Sequence, residues 1–464
     1  MVIDAGKQEL TSIRDNGGPK ELGHGIRADF AFEPGWRNLN HGSYGTVPHA
    51  IQARRHHYMN MYEAKPDHFI RVRLPELLDE SRAAVAELVN APVSEVVFVN
   101  NATEGVNTVL RNLEWNSDGK DTIVHFSTVY DACARAEDFV SDYSGRVGVR
   151  EIQLDYPLED GEIITLFRDE VRRLQEEDHR RARVALFDVV SSNPGVRFPW
   201  VQMVAACREL GVTSLVDGAH GVGMVPLDLS AADPDFFVSN CHKWLHTPRG
   251  CALFYVPLRN QHLLPSTLAT ARGYAPRRDN GGRRTQPLLI PHDGKSHFER
   301  NFEWVGTRDD SPYLSVRDAI AWRKHVLGGE DRIMAYMTDL SRRGIRVVAD
   351  ALGTDYLDNK AGTMTDCAMA NVALPIWVGE KGRVRAGPGD IVVSEEDAPV
   401  AFHWINDTMF DEFHTFMAVS VRWDRFWVRL SAQVYLELED YEWAGGVLKE
   451  LCRRVGEGEF KKID

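Results

Sequence analysis

The chain has 464 residues, is 43% hydrophobic and carries a formal net charge of -14. That is enough apolar material for one big domain plus a smaller one, or for an α/β subunit of two lobes. The acidity argues against a nucleic-acid binder, which carries a basic face, and no apolar run reaches the roughly 18–20 residues that span a bilayer.

Residues 1–30 read as an extended, glycine-punctuated arm. Their polar start lacks the apolar core of a secretory signal, so a cytoplasmic location is expected. LPELLDESRAAVAELVN (74–90) has apolar residues at helical spacing. EVVFVN (95–100) is a short apolar run that ends in NATEG, where Thr103 and Glu104 open a helix. DTIVHF (121–126) is the next strand, and YDACARAEDFVSDY (130–143) the helix after it. RVALFDVVSSN (183–193), VTSLVDGAH (212–220), DFFVSN (235–240) and GCALFYV (250–256) continue the series, with WVQMVAACREL as one intervening helix. Continuous apolar strands alternating with helices predict a mostly parallel sheet covered on both faces, an α/β fold. Ligands of such sheets bind beyond the carboxyl ends of the strands.

Residues 257–300 break the pattern with a stretch rich in Gly, Pro and Arg, read as a long functional loop. Beyond it, SVRDAIAWRKHVL and EDRIMAYMTDLSRRGIRVVADAL are helices. CAMANVALP, FMAVSVRW and FWVRLSAQVYLE read as strands of a smaller sheet, and LEDYEWAGGVLKELCRRV closes the chain as a helix. The expected division is an N-terminal arm with an active-site segment (1–44), a large lobe (45–312) and a small lobe (313–464).

Polar residues cluster at the strand ends. Asn101-Ala102-Thr103 stands at a strand-to-helix junction, suited either to a phosphate or to plain N-capping. Asp217 ends an apolar run, and a buried carboxylate needs a partner, either a helix N-terminus or a cationic ring nitrogen. Asn240, His242 and Lys243 end another strand, 26 residues on from Asp217. A desolvated lysine has a depressed pKa and becomes a nucleophilic amine. Lysine for a Schiff base, aspartate for a pyridinium nitrogen and a helix N-terminus for a phosphate are together what pyridoxal 5'-phosphate requires. Six cysteines without CxxC spacing give neither a disulfide framework nor a zinc site, and no metal is expected.

NLNHGSYG (38–45), NATEGVN (101–107), VDGAH (216–220), SNCHKW (239–244), WVGTRD (304–309) and WVRLSAQVY (427–435) together resemble the class V aminotransferases of fold type I. These pyridoxal phosphate enzymes include cysteine desulfurases and isopenicillin N epimerase-like proteins, and the resemblance runs from about residue 36 onward. It implies that Lys243 binds the cofactor aldehyde and later shuttles protons. Asp217 would hold the pyridine nitrogen protonated and His220 would lie near the phenolic oxygen. Ala102, Thr103, Asn240 and His242 would hold the phosphate. Tyr130 takes the place of the ring-stacking aromatic, and Asn193 or Ser192 would reach the phenolic oxygen. Thr307 would reach the phosphate of a partner subunit, implying a homodimer with shared active sites. Arg429 would bind the substrate α-carboxylate bidentately, with His41 and Tyr44 as further substrate contacts.

A cysteine desulfurase needs a mobile nucleophilic cysteine upstream of that arginine. The nearest, Cys367, lies 62 residues before Arg429 in an apolar run and reads as a core residue. NLNHGSYGTVP, STVYDAC and CHKWLHTPRG are most similar to ergothioneine-type C–S lyases acting on hercynylcysteine sulfoxide. That implies β-elimination to a sulfenic acid, pyruvate and ammonia, with Tyr130 as proton donor to the leaving group. The rival activities are epimerase or aminotransferase, which share every cofactor residue. A trimethylammonium group on such a substrate would suit aromatic faces such as Tyr44, Tyr58, Tyr62 and Phe69, and the arginines of 272–284 would suit its second carboxylate.

Overall fold

The computed structural model describes residues 18–271, 273–274 and 294–461. Its larger sheet has seven strands. They are β1 (Val96–Val99), β2 (Asp121–Phe126), β3 (Val147–Ile152), β4 (Arg181–Asp188), β5 (Thr213–Asp217), β6 (Phe236–Asn240) and β7 (Ala252–Tyr255). The spatial order is β1-β7-β6-β5-β4-β2-β3. Only β7 runs antiparallel to its neighbours. The expected mostly parallel sheet is therefore the observed one.

Why these segments form buried strands follows from side-chain alternation. Val96 and Phe98 of β1 enter one apolar core, while Val97 and Val99 enter another. Ala185 and Phe187 against Val184 and Leu186 repeat the division in β4. Both faces are covered by helices, among them α1 (Ala102–Asn112), α2 (Asp131–Ser144) and α3 (Trp200–Leu210). Strand β3 was not anticipated. It is the edge strand, and its Arg150 and Glu151 face partly outward, so it lacks the apolar run that marked the others.

The second sheet has four strands, β8 (Met369–Val378), β9 (Ile391–Val393), β10 (Ala418–Arg422) and β11 (Arg425–Ser431), in the order β9-β8-β11-β10. Helices Glu330–Leu352 and Leu438–Gly456 pack on each other beside it. Helices His49–Ala64, Asp160–Glu176 and Asp397–Asp411 were not individually anticipated. The arm is not wholly extended, because His24–Asp29 forms a 3-10 helix. Its continuation binds the C-terminal part of the chain: Arg37–Asn38 pairs with Thr415–Phe416, and the Ser431 N–H donates to the Leu39 carbonyl at 2.8 Å.

The topology sets the site. Strands β2, β4, β5 and β6 are parallel, so the segments leaving their carboxyl ends, near Tyr130, Asp188, Asp217 and Asn240, share one edge of the sheet. Strand β11 brings Arg429 toward the same edge, where its side chain meets Ser192 just beyond β4.

Candidate active site

Lys243 lies in a one-turn helix, Cys241–Trp244, directly after β6. Its Nζ is 3.0 Å from His220 Nε2. Burial lowers the amine from the ordinary 10.5 to about 8; Asp217 and Asp188 pull it back up, while Arg429 opposes them. The turn is fixed from several sides. His41 Nε2 donates to the Lys243 carbonyl at 2.7 Å, and an Arg323 N–H donates to the Trp244 carbonyl at 2.7 Å. Gly45 passes so close that a Cβ there would stand 2.0 Å from the His242 carbonyl oxygen, and its φ is +63°. Only glycine lets the NHGSYG segment close on this turn.

Asp217 ends β5 and is 3% exposed. Its carboxyl accepts the Ala219 N–H at 2.8 Å and the Cys133 thiol at 3.4 Å. Asp188 stands beside it in register on β4. The motifs had not singled out Asp188, although it closes an apolar run just as Asp217 does. Burial raises both carboxyls, and the Asp217 charge raises Asp188 further. No basic side chain hydrogen-bonds either one among the described residues, so this edge can accept an external cation.

His220 is buried between Trp244 and Lys243, with Nδ1 accepting the Trp244 indole N–H at 3.1 Å. Burial, then Lys243, Arg429, His242 and His41, hold it well below its ordinary pKa. Asn240 accepts the Ala102 N–H at 2.9 Å and so ties the end of β6 to the N-terminus of α1. Asn101 caps that helix by accepting the Glu104 N–H, so the capping role falls to Asn101 and not to Thr103. His242 donates Nδ1–H to the Cys251 carbonyl at 2.8 Å, and burial lowers it to about 4.

Arg429 is 7% exposed. Its two terminal nitrogens donate to Ser192 (carbonyl at 2.7 Å, Oγ at 3.2 Å), to Asn40 Oδ1 at 2.7 Å and to Ser43 Oγ at 2.8 Å, while Nε–H is unpaired. All of these acceptors are neutral. No carboxylate of the described residues pairs with it, and burial lowers it to about 10. A buried guanidinium without a counter-ion is costly, and an anionic ligand would offset that cost.

The remaining expected residues divide. Tyr44 is 71% exposed and Tyr130 is 49% exposed; burial, then Cys133, Tyr44 and Asp217, raises the Tyr130 phenol. Asn193 is turned to Arg422, whose Nε–H it accepts at 3.1 Å, and Ser192 to Arg429. Thr307 is exposed on the loop after helix His297–Glu303, and no hydrogen bond ties it to the cluster. Two readings are corrected. His41 is no substrate contact: it is buried and both ring nitrogens are engaged, with Tyr435 Oη at 2.9 Å and the Lys243 carbonyl. Tyr58 and Phe69 are buried in the core, Tyr58 donating to Asp318 at 2.6 Å, and the Tyr62 hydroxyl donates to Asp310 at 3.0 Å. Tyr58 and Phe69 therefore present no free face to a cation, and Tyr62 is partly buried against Phe69. The arginines of 272–284 lie outside the described residues.

An amine, a carboxyl without a cationic partner and a helix N-terminus with a half-buried Thr103 converge on one sheet edge. That donor set fits pyridoxal phosphate. The comparisons agree. Residues 38–272 match the family Aminotransferase class-V. An L-cysteine desulfhydrase-like protein of Epichloe uncinata, lolT2, is 33% identical over 92% of this chain and 93% of its own length. The hercynylcysteine sulfoxide lyase of Schizosaccharomyces pombe is 29% identical over 93% and 98%. A C-DES mutant solved with glycine covalently linked to its PLP cofactor superposes with a TM-score of 0.72 at 17% identity, covering 91% of this chain and 99% of that one. The chain belongs to the class V aminotransferase family and is a pyridoxal phosphate enzyme.

Proposed function

We propose that this enzyme eliminates sulfur from an S-substituted cysteine, with hercynylcysteine sulfoxide as its substrate. One observation carries the choice of elimination over persulfide transfer: the site shared by the Lys243 amine and the Arg429 guanidinium, which has no counter-ion among the described residues, holds no exposed thiol, because all six cysteines are buried and the one beside the site, Cys133, is engaged with Asp217. Cys367 is fully buried, its thiol donating to the Met369 carbonyl at 3.1 Å. A persulfide carried on an enzyme cysteine has no candidate here.

When bound, pyridoxal phosphate supplies an aldehyde that takes up an amine and a cationic ring that receives the electrons of the Cα–H bond. Asp217 would hold the ring-nitrogen proton, and Lys243 would bind the aldehyde carbon. Ala102, Thr103, Asn240 and His242 would hold the phosphate. Arg429 orients the substrate carboxylate, and Tyr44 stands at the mouth. Lys243, once released, takes the Cα proton. The Cβ–S bond then breaks, and the electron pair leaves with sulfur. Tyr130, kept protonated by its surroundings, donates a proton to the departing sulfenate. Hydrolysis of the three-carbon remainder gives pyruvate and ammonia. In a homodimer Thr307 would complete the phosphate site of the other subunit.

The substrate is supported by near full-length likeness to the fission-yeast lyase. Other relatives are named for cysteine desulfhydrase activity, which makes free cysteine the rival substrate. The test is to give the cofactor-loaded protein hercynylcysteine sulfoxide and, separately, cysteine, and to measure pyruvate and ammonia. Pyruvate from the sulfoxide alone is expected. Pyruvate from cysteine alone would reassign the substrate, and none from either would overturn the lyase reading.

A further inference from the structure

The hydrogen bonds around Lys243 fix more than its position. An indole N–H only donates. That of Trp244 is directed at His220 Nδ1, 3.1 Å away, so Nδ1 must offer a lone pair. The single proton of a neutral imidazole then sits on Nε2. Nε2 is 3.0 Å from Lys243 Nζ. An Nε2–H has a hydrogen-bond partner there only if the lysine offers a lone pair, and an ammonium has none. We infer that Trp244 is a positioning residue whose indole N–H locks the tautomer of His220, and that this lock holds released Lys243 as a neutral amine.

The lock is rigid. Trp244 is fully buried, its ring lies 5.1 Å from that of His41, and its carbonyl is held by Arg323. Arg323 is itself fully buried and also donates to the Gly223 carbonyl at 2.9 Å and to Glu330, so one side chain braces both the lysine turn and the turn after Asp217. Protonating His220 a second time would set an Nδ1–H against the indole N–H. The lock also opposes a real pull. Burial is the largest influence and favours the neutral amine, Asp217, Asp188 and Cys133 pull toward the ammonium form, and the lock adds to burial and to Arg429 against that pull. A lysine that must take a proton from substrate Cα needs this counterweight. The inference rests on the reading of Lys243 as the proton-abstracting base.

The test is nitrogen NMR of the full-length, cofactor-loaded protein labelled at histidine, with His220 assigned through His220→Gln. Its proton is expected on Nε2. In Trp244→Phe, which keeps an aromatic ring and deletes the donor, part of the population should move to Nδ1–H. The neutral fraction of Lys243 should then fall by up to about tenfold, the worth of one hydrogen bond. That fall is read as an upward move in the pH midpoint of cofactor uptake by the stripped full-length chain. An unchanged tautomer together with an unchanged midpoint overturns the inference. If Trp244→Phe does not fold, the wild-type spectrum still decides: Nδ1–H or imidazolium overturns it. Both readouts are taken without substrate, so a failed pyruvate assay would sink the lyase reading and leave this one standing.

Discussion

Replacing Arg429 with alanine should abolish the preference of the enzyme for a free α-carboxylate. The magnitude follows from the site. Arg429 is buried, its acceptors are all neutral, and no carboxylate of the described residues competes for it. Removing one partner of a buried, hydrogen-bonded charge pair costs about 2–5 kcal/mol. At 1.4 kcal/mol per factor of ten, that is roughly 30- to 4,000-fold in kcat/KM. Activity loss alone would be ambiguous, because the same side chain also braces Ser192, Asn40 and Ser43. The cleaner assay compares each substrate with its α-carboxamide. The wild type should prefer the acid by a factor in that range, and Arg429→Ala should treat the two nearly alike. Arg429→Lys keeps the charge but loses the planar fork, so it should fall between. If Arg429→Ala still discriminates acid from amide as the wild type does, the carboxylate is read elsewhere and the assignment fails.

Tyr130→Phe should slow pyruvate release by about a hundredfold or more, the usual worth of a positioned general acid, with cofactor absorbance intact; unchanged turnover removes Tyr130 from the chemistry. Cofactor uptake by the stripped chain should rise with pH through a midpoint near 8, because the amine must lose its proton to attack and burial favours the neutral form. Asp217→Asn removes a charge that favours the ammonium, so the midpoint should move lower; a midpoint near 10.5 in the wild type would mean a solvated lysine. Cys367→Ala should cost about 1–2 kcal/mol of stability through the small cavity it leaves, seen as a lower Tm, while turnover stays unchanged. Loss of turnover would instead place a reactive thiol in the site.

The parts of the site legible in the sequence share one physical feature. Lys243, Asp217, Asn240 and the Ala102–Thr103 junction each follow a short apolar strand, and a polar residue closing such a strand must find a partner. Asp188 has the same signature and shows that the rule extended further than the motifs did. The fold was legible for the same reason. Strands buried on both faces are apolar throughout, whereas edge strand β3, with Arg150 and Glu151, is not.

What stayed hidden depends on neighbours distant in sequence. His41 carries no sign that its two nitrogens will be consumed by Tyr435, 394 residues on, and by the backbone of Lys243. Arg323 reads as one basic residue in an amphipathic helix until the fold sets it under two carbonyls of the cofactor edge. Tyr58 and Tyr62 read as candidate faces for a substrate cation until helix His49–Ala64 packs them against Asp318 and Asp310. Residues closing strands show their chemistry through local burial, and the residues that hold them in place do so only through tertiary contact. Motif reading therefore finds Lys243 and overlooks Trp244 beside it, whose N–H matters because of where His220 stands.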